Sequence, residues 1–222
     1  MIRTERLATA TAPDGSQLAL LRHDRDYILR VNGADLMSTR RHASEDELAR
    51  VASAPLGSQA GAAVLIGGLG LGFTLRAALA HLAPDARVVV AEIVEAVIDW
   101  NRNPDYGLSV DALADARVEL RHADVADVLR ESRGVFDTIM LDVDNGAEAL
   151  TTAGNARLYS DDGIRLTIEA LRPHGRIVYW SAQADRTFER SLRRAGLTVE
   201  SVPVRAHAKS GGHHTLLTAS RV

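Results

Sequence analysis

The chain has 222 residues, of which 46% are hydrophobic, and its formal charge is −3. This length suits one domain with a small appendage, the mild charge argues against a nucleic-acid-coating surface, and the absence of cysteine excludes disulfides and thiolate sites. No apolar run approaches the roughly 20 residues that a membrane span needs, and "MIRTERLATA" lacks a signal-peptide core. We therefore expect a cytoplasmic protein with no nucleic-acid or membrane partner.

The first residues are predicted to form a small β-segment. "SQLALLRHD" and "DYILRVNGA" alternate between apolar and polar residues, and "PDG" and "NG" are turn signals. "SEDELARVA" then predicts a helix with Ser44 as its cap and Glu47 as the capping-box partner. We place the boundary between an N-terminal β-hairpin segment, 1–43, and a larger domain, 44–222.

From "AAVLIGG" onward, apolar strands alternate with helical segments. This alternation predicts an α/β fold with a mostly parallel sheet that is covered on both faces. "LTVESVPVRA" and "HTLLTASRV" have no helix between them and predict a C-terminal antiparallel hairpin. The five strands before the hairpin are "AVLIG", "ARVVVAEI", "ARVELRHAD", "FDTIMLD" and "GRIVYWSA"; helices are predicted in "FTLRAALAHLA", "VEAVIDWNR", "VADVLRES", "DDGIRLTIEALRP" and "DRTFERSLRRAG".

A glycine-rich turn joins the first of these strands to its helix. Gly68, Gly70 and Gly72 form G-x-G-x-G, which lets the backbone turn sharply and approach a ligand, while the following helix offers free N–H groups. A tight turn without a ligand is the alternative. Phe73 stands where the third glycine of G-x-G-x-x-G would fall, which disfavours a nicotinamide dinucleotide.

Three acidic residues end the next three strands. Glu92 comes about 20 residues after Gly72, the distance typical of an acid that binds ribose hydroxyls. Asp124 ends the third strand, where it could reach an adenine edge or cap a helix. Asp142 ends the fourth strand. Because ligands of open α/β sheets bind outside the carboxyl ends of the strands, these acids predict a nucleoside site.

The glycine loop, the acids and the final hairpin resemble the class I fold that binds S-adenosylmethionine, and within it the spermidine synthase (polyamine aminopropyltransferase) family. "VLIGGLGLG" resembles that family's glycine loop, "FDTIMLD" its strand leading to the catalytic aspartate, and "ARLYSDDGI" its downstream segment. The resemblance runs from about residue 16 to the C-terminus. It implies a Rossmann-like fold, S-adenosylmethionine or its decarboxylated form as co-substrate, and a homodimer. The predicted cofactor-binding residues are Gly68, Gly70, Gly72, Glu92, Ile93, Asp124, Val125 and Asp142.

By this resemblance, Glu92 should hold the ribose, Asp124 the adenine, and Asp142 should be the acid beside the reacting amine. Asp144 is the second catalytic candidate, or the partner of an Asx-type turn. It follows Asp142 by two residues and precedes Asn-Gly, whereas the family's second acid comes three residues after the first and precedes proline.

The family's Tyr-His-Glu cluster corresponds to "LMSTRRHASEDELA", in which His42 and Glu45 are present without a preceding tyrosine.

The predicted acceptor site comprises Tyr159, Trp180, Gln183 and Lys209. Trp180 could wall a cationic or apolar group, whereas packing is the alternative for Tyr159. Lys209 is the single lysine of the sequence and lies in the hairpin loop. It suits a carboxylate, which S-adenosylmethionine has and the decarboxylated donor lacks; a solvated lysine is the alternative.

His207, His213 and His214 flank this lysine and could bind a metal, but neighbouring residues on a strand point opposite ways, so we expect none.

The sequence thus predicts a transferase that moves an aminopropyl, methyl or aminocarboxypropyl group to a small polar acceptor, with an amine favoured. A plain small-molecule methyltransferase and a non-catalytic nucleoside-binding module stay open as alternatives.

Overall fold

The computed structural model describes residues 3–142, 155–205 and 213–221, which form a small sheet and a large one. The small sheet is antiparallel, with its strands in the order β1-β2-β3-β4. The turn between β3 and β4 has positive φ at Asn32 (49°) and Gly33 (86°), as expected for the "NG" signal. The strands are β1 Glu5–Thr11, β2 Gln17–His23, β3 Asp26–Val31 and β4 Ala34–Ser38.

The large sheet has the strand order β10-β11-β9-β8-β5-β6-β7. The strands β5 to β9 are mutually parallel, and β11 pairs antiparallel with both β9 and β10. The predicted α/β architecture with its C-terminal antiparallel hairpin is therefore confirmed. The strands are β5 Ala63–Gly67, β6 Arg87–Glu92, β7 Val118–His122, β8 Phe136–Leu141, β9 Leu171–Ser181, β10 Leu197–Arg205 and β11 His213–Arg221.

The helices follow the predicted alternation, with one addition, the single turn α4. In the described ranges none of them is long and apolar enough to cross a membrane. The helices are α1 Ala43–Ser53, α2 Phe73–His81, α3 Glu95–Arg102, α4 Val110–Leu113, α5 Val125–Glu131, α6 Asp161–Ala170 and α7 Arg186–Arg194, with a short 3₁₀ helix at Asn155–Tyr159.

The predicted capping box at the start of α1 is wrong. The N-cap residue is His42, and no side chain caps the first turn. Ser44 lies inside the helix, where its hydroxyl donates to Glu45 at 2.6 Å, and Glu47 pairs instead with Arg50. Ser44 and Glu45 are both buried, because this end of the helix faces the interior.

Two hydrophobic clusters cover the two faces of the large sheet. One cluster joins the small sheet to α1 and to the sheet face, bringing Leu20 and Leu29 together with Leu48 and Trp180. The other lies beneath α5, α6 and α7. Sharing the first cluster holds the small sheet next to the carboxyl ends of the parallel strands.

Candidate active site

A cavity of about 490 Å³ lies between the small sheet, the start of α1 and the carboxyl ends of the parallel strands. This volume is in the usual range for a site that encloses a small molecule. Residues of β2, β3 and β4 form one wall, which includes Ile28, Leu36 and Met37. Eight of the predicted site residues also line it: Gly68, Gly70, Glu92, Ile93, Asp124, Val125, Asp142 and Trp180.

The three glycines of the loop have different surroundings. All three have positive φ, from 53° to 90°, which favours glycine. A Cβ on Gly70 would lie 2.7 Å from the sulfur of Met37, so the loop touches the small sheet. A Cβ on Gly72 would lie 2.4 Å from the Cβ of Ser109, and Gly72 does not line the cavity. Gly72 therefore serves the packing of α2.

A buried amide that the sequence analysis missed holds the loop in place. The Nδ2 of Asn101 donates to the carbonyl of Gly70 and to that of Val97, each at 2.8 Å. Its Oδ1 accepts from the Ser109 hydroxyl at 2.6 Å. No spacing pattern marks this residue, because its partners come from a loop and another helix.

Glu92 fixes the loop from the opposite side. Its Oε2 accepts from the Leu69 N–H at 2.9 Å and its Oε1 from the Val94 N–H at 2.8 Å. Burial raises the pKa of this carboxyl, and the backbone N–H groups oppose that rise. Each carboxylate oxygen keeps a further lone pair with which to accept a ligand hydroxyl.

Asp124 is the N-cap of α5. Its Oδ1 accepts from the Ala126 N–H at 2.8 Å, which is the capping role considered as an alternative. The same residue lines the cavity. Because the cap occupies one oxygen, the other can accept from a ligand amine.

Asp142 and Glu45 bring two carboxyl groups to the cavity. The Thr74 hydroxyl donates to Asp142 Oδ2 at 2.9 Å, and burial raises the pKa of Asp142 to about 6. Burial, and then the charge of Asp142, raise the pKa of Glu45 to about 7. The two groups are coupled, so their protons belong to the pair. Near neutral pH such a pair can accept a proton.

No protein-family model matches the chain, and no curated protein sequence matches it. A solved spermidine synthase in complex with the transition state analogue AdoDATO does match, with a TM-score of 0.80 and 18% identity over 100% of this chain and 75% of that chain. This chain has the spermidine synthase fold.

Two further structures have the same spermidine synthase fold. The spermidine synthase from Thermotoga maritima is 19% identical with a TM-score of 0.78, over 100% of this chain and 75% of that chain. A probable spermidine synthase from Corynebacterium glutamicum ATCC 13032 is 16% identical with a TM-score of 0.65, over 96% of this chain and 79% of that chain. The fold implied by the resemblance is confirmed.

His42 and Glu45, the two residues predicted to correspond to the family's Tyr-His-Glu cluster, lie in different environments. Glu45 lines the cavity, whereas His42 does not. The His42 ring stacks on Phe73 with the centroids 4.3 Å apart, and its Nδ1 lies 2.7 Å from Asp46. His42 therefore joins α1 to α2.

Two residues of the predicted acceptor site do not line the cavity. Tyr159 packs against Phe188 and Tyr179 in the cluster beneath α6 and α7, with ring centroids 4.9 Å and 5.9 Å away. Gln183 is exposed, and its backbone carbonyl accepts from the Ser181 hydroxyl. Asp144, Lys209 and His207 lie outside the described residues.

Within the described ranges, no three histidine or acidic side chains are grouped to hold a metal ion. His213 is exposed on β11, while its neighbour His214 lines the cavity.

Replacing Glu45 by glutamine should raise the melting temperature by a few degrees at pH 8 and change it little at pH 5. The pKa of Glu45 is raised on folding from 4.5 to about 7, so its contribution to stability is present below pH 4.5 and is lost as the pH rises to 7. Glutamine removes the buried charge and can still accept from Ser44. Thermal unfolding at the two pH values measures this effect.

Glu47→Gln on the same helix is the matched control. The Arg50 guanidinium lowers the pKa of Glu47, so this variant should lose stability at pH 8 rather than gain it. The same sign of change in both variants at pH 8 would contradict the environment assigned to Glu45.

Proposed function

We propose that this chain is a spermidine-synthase-like transferase that moves an alkyl group from S-adenosylmethionine or its decarboxylated form to a small amine. The observation that carries the proposal is one cavity that gathers the glycine loop, Glu92, Asp124 and Asp142. The glycine loop, Glu92 and Asp124 suit a nucleoside, and Asp142 suits the proton of an amine. Among the three transferable groups, the fold favours aminopropyl.

The donor would bind across the carboxyl ends of β5, β6 and β7. Glu92 would accept from the ribose hydroxyls and Asp124 from the adenine amine, with Ile93 and Val125 against the ring. The likeness to a spermidine synthase that holds the analogue AdoDATO supports this placement.

The charges around the cavity suit a cationic ligand. Its lining includes six carboxylates and two guanidiniums, and the Arg40 guanidinium is paired with Asp26. A sulfonium donor and an ammonium acceptor each bring a positive charge. Such charges favour the ionised forms of Asp142 and Glu45, which lowers their pKa values on binding. The carboxylates are Asp26, Asp35, Glu45, Glu92, Asp124 and Asp142.

The reaction needs a neutral amine in line with the carbon–sulfur bond. Asp142 would take a proton from the acceptor ammonium, leaving a lone pair on nitrogen. This lone pair forms the new C–N bond while the C–S bond breaks and its electron pair returns to sulfur. The products are a neutral thioether and a substituted ammonium. Holding the two reactants in this geometry is the main catalytic contribution of the cavity.

Thermal shifts with S-adenosylmethionine, its decarboxylated form and methylthioadenosine test the proposal, since a ligand that binds the folded state stabilises it in proportion to ln(1 + [L]/Kd). We expect all three to raise the melting temperature. The decarboxylated donor should give the largest rise if aminopropyl is the group transferred. A preference for S-adenosylmethionine would instead favour methyl or aminocarboxypropyl transfer and a donor contact at Lys209. The absence of a shift with all three would refute the donor assignment.

A further inference from the structure

A series of hydrogen bonds connects the last strand of the large sheet to the carboxyl pair. His214, at the start of β11, places its Nδ1 3.1 Å from the Ser44 hydroxyl. That hydroxyl donates to Glu45 Oε2 at 2.6 Å. All three residues line the cavity. Ser44 and Glu45 are buried, while His214 is partly exposed, so the series runs from the interior towards solvent.

The single proton of the Ser44 hydroxyl fixes the direction of these bonds. Because the hydroxyl donates to ionised Glu45, its oxygen must accept from His214, whose Nδ1 then carries a proton. If Glu45 gains a proton, the direction can reverse: Glu45 donates to Ser44, and Ser44 donates to a bare Nδ1. Because the hydrogen bonds can run in either direction, a proton can pass from Glu45 to His214 or from His214 to Glu45.

Trp180 packs beside this series of hydrogen bonds. The residue is only 8% exposed, and its ring lies edge-on against His214 with the centroids 4.5 Å apart. Trp180 also lines the cavity, so the indole and the Ser44 hydroxyl together position the His214 ring there.

We propose that Glu45, Ser44 and His214 form a proton path that carries the acceptor's proton from Asp142 to solvent. The path rests on the proposed function, in which Asp142 takes that proton from the amine. Glu45, which lines the same cavity as Asp142, receives it next. With the imidazole in its Nε2–H tautomer, Nδ1 is bare, so Glu45 donates to the Ser44 oxygen while the Ser44 proton passes to Nδ1. The imidazolium then releases its Nε2 proton to water, and exchange with water returns the ring to the Nε2–H tautomer before the next transfer. One proton leaves for each amine deprotonated, and no redox step is involved. Ser44 and His214 are thus positioning residues that act through Glu45.

Several other charged groups are close enough to influence the path. Asp46 lies on the same helix and its charge raises the pKa of Glu45, as that of Asp142 does more strongly. Arg41 and Glu92 line the same cavity. Among the described residues, the Ser44 hydroxyl is hydrogen-bonded to Glu45 and His214 and to none of these groups, so their effects should be equal in variants that differ only at that hydroxyl.

The first experiment requires no turnover. It follows the His214 ring by NMR during a pH titration of the whole protein, with the signals assigned through His214→Gln. In the wild type we expect a second inflection near the titration of the carboxyl pair. Ser44→Ala should remove that inflection. The control is Ser53→Ala on the same helix. It removes a buried hydroxyl for which the described part of the chain offers no hydrogen-bond partner. Loss of the inflection in the control, or its persistence in Ser44→Ala, would overturn the path.

The second experiment measures transfer with decarboxylated S-adenosylmethionine and putrescine across pH. Ser44→Ala and His214→Gln should each lower kcat about tenfold without changing the KM for the donor. In Ser44→Ala the acidic limb of the plot of kcat against pH should also move to higher pH. The reason is that the hydrogen bond from Ser44 lowers the pKa of Glu45, and this variant loses that bond. His213→Gln, at the exposed neighbouring position, should match the wild type.

The two proposals fail in distinguishable ways. Turnover that is unaltered in Ser44→Ala and His214→Gln, with an unmoved acidic limb, would refute the path and leave the transferase intact. Donor binding without turnover on any amine would refute the transferase, and the NMR titration would then decide alone whether the three residues are coupled.

Discussion

Asp142→Asn should reduce the transfer rate by about a hundredfold to ten-thousandfold, while the affinity for the donor falls much less. An asparagine oxygen can still accept from the Thr74 hydroxyl, which now bonds Oδ2 at 2.9 Å, so the end of β8 should keep its position. The amide cannot accept a proton from the ammonium, and loss of a positioned base typically costs a rate factor of this size. Single-turnover transfer and donor thermal shifts measure the two effects separately.

Asp127→Asn is the matched control for this change. Asp127 is exposed on α5 and pairs with Arg130, away from the cavity. The Asp127→Asn variant should leave the transfer rate and the donor affinity unaltered. A wild-type rate in Asp142→Asn would show that another group accepts the proton, and a parallel loss of donor binding would point to a structural role.

Glu92→Gln should weaken donor binding by about ten- to hundredfold. Both carboxylate oxygens accept backbone N–H groups, from Leu69 and from Val94. Glutamine has one acceptor oxygen, so its NH₂ must face one of these N–H groups and the glycine loop must move. The ribose also loses a charged acceptor, whose hydrogen bonds contribute about 1.5–3 kcal/mol. Calorimetric titration with the decarboxylated donor measures the change in Kd.

Glu119→Gln on the neighbouring strand β7 provides the comparison. Its carboxylate pairs with Arg87 and Arg121 and does not line the cavity, so donor affinity should be unchanged. Equal Kd values in the two variants would remove Glu92 from the donor site.

Most of the fold could be predicted because several strands of the large sheet, such as β5 and β6, are apolar runs whose boundaries coincide with glycines and acids. The same boundaries placed Glu92, Asp124 and Asp142 at one edge of the sheet, where they do line one cavity. The strands β1 and β4 were missed, since they lie at the edges of the small sheet and most of their residues are at least partly exposed, which leaves a weak apolar pattern.

The parts that could not be predicted depend on contacts between distant segments. Ser44 has the residue type and spacing of a helix cap, but burial beside His214, 170 positions away, gives its hydroxyl other partners. Gly72 fits a ligand loop by spacing, and only its approach to Ser109 assigns it to packing. No sequence pattern marks Asn101, because its role in holding the glycine loop depends on a hydrogen bond to the carbonyl of Gly70 on a distant segment.

The small sheet and the final hairpin meet at the same cavity, with Met37 from the first and His214 from the second. A molecule bound there would contact both the small sheet and the final hairpin. Its binding energy would therefore stabilise the packing of these two elements on the large sheet, and both would have to be in place before the molecule could bind. Ligand binding and the docking of the two elements are in this way thermodynamically linked, so a substitution that loosens either element, even far from the reacting atoms, should weaken binding.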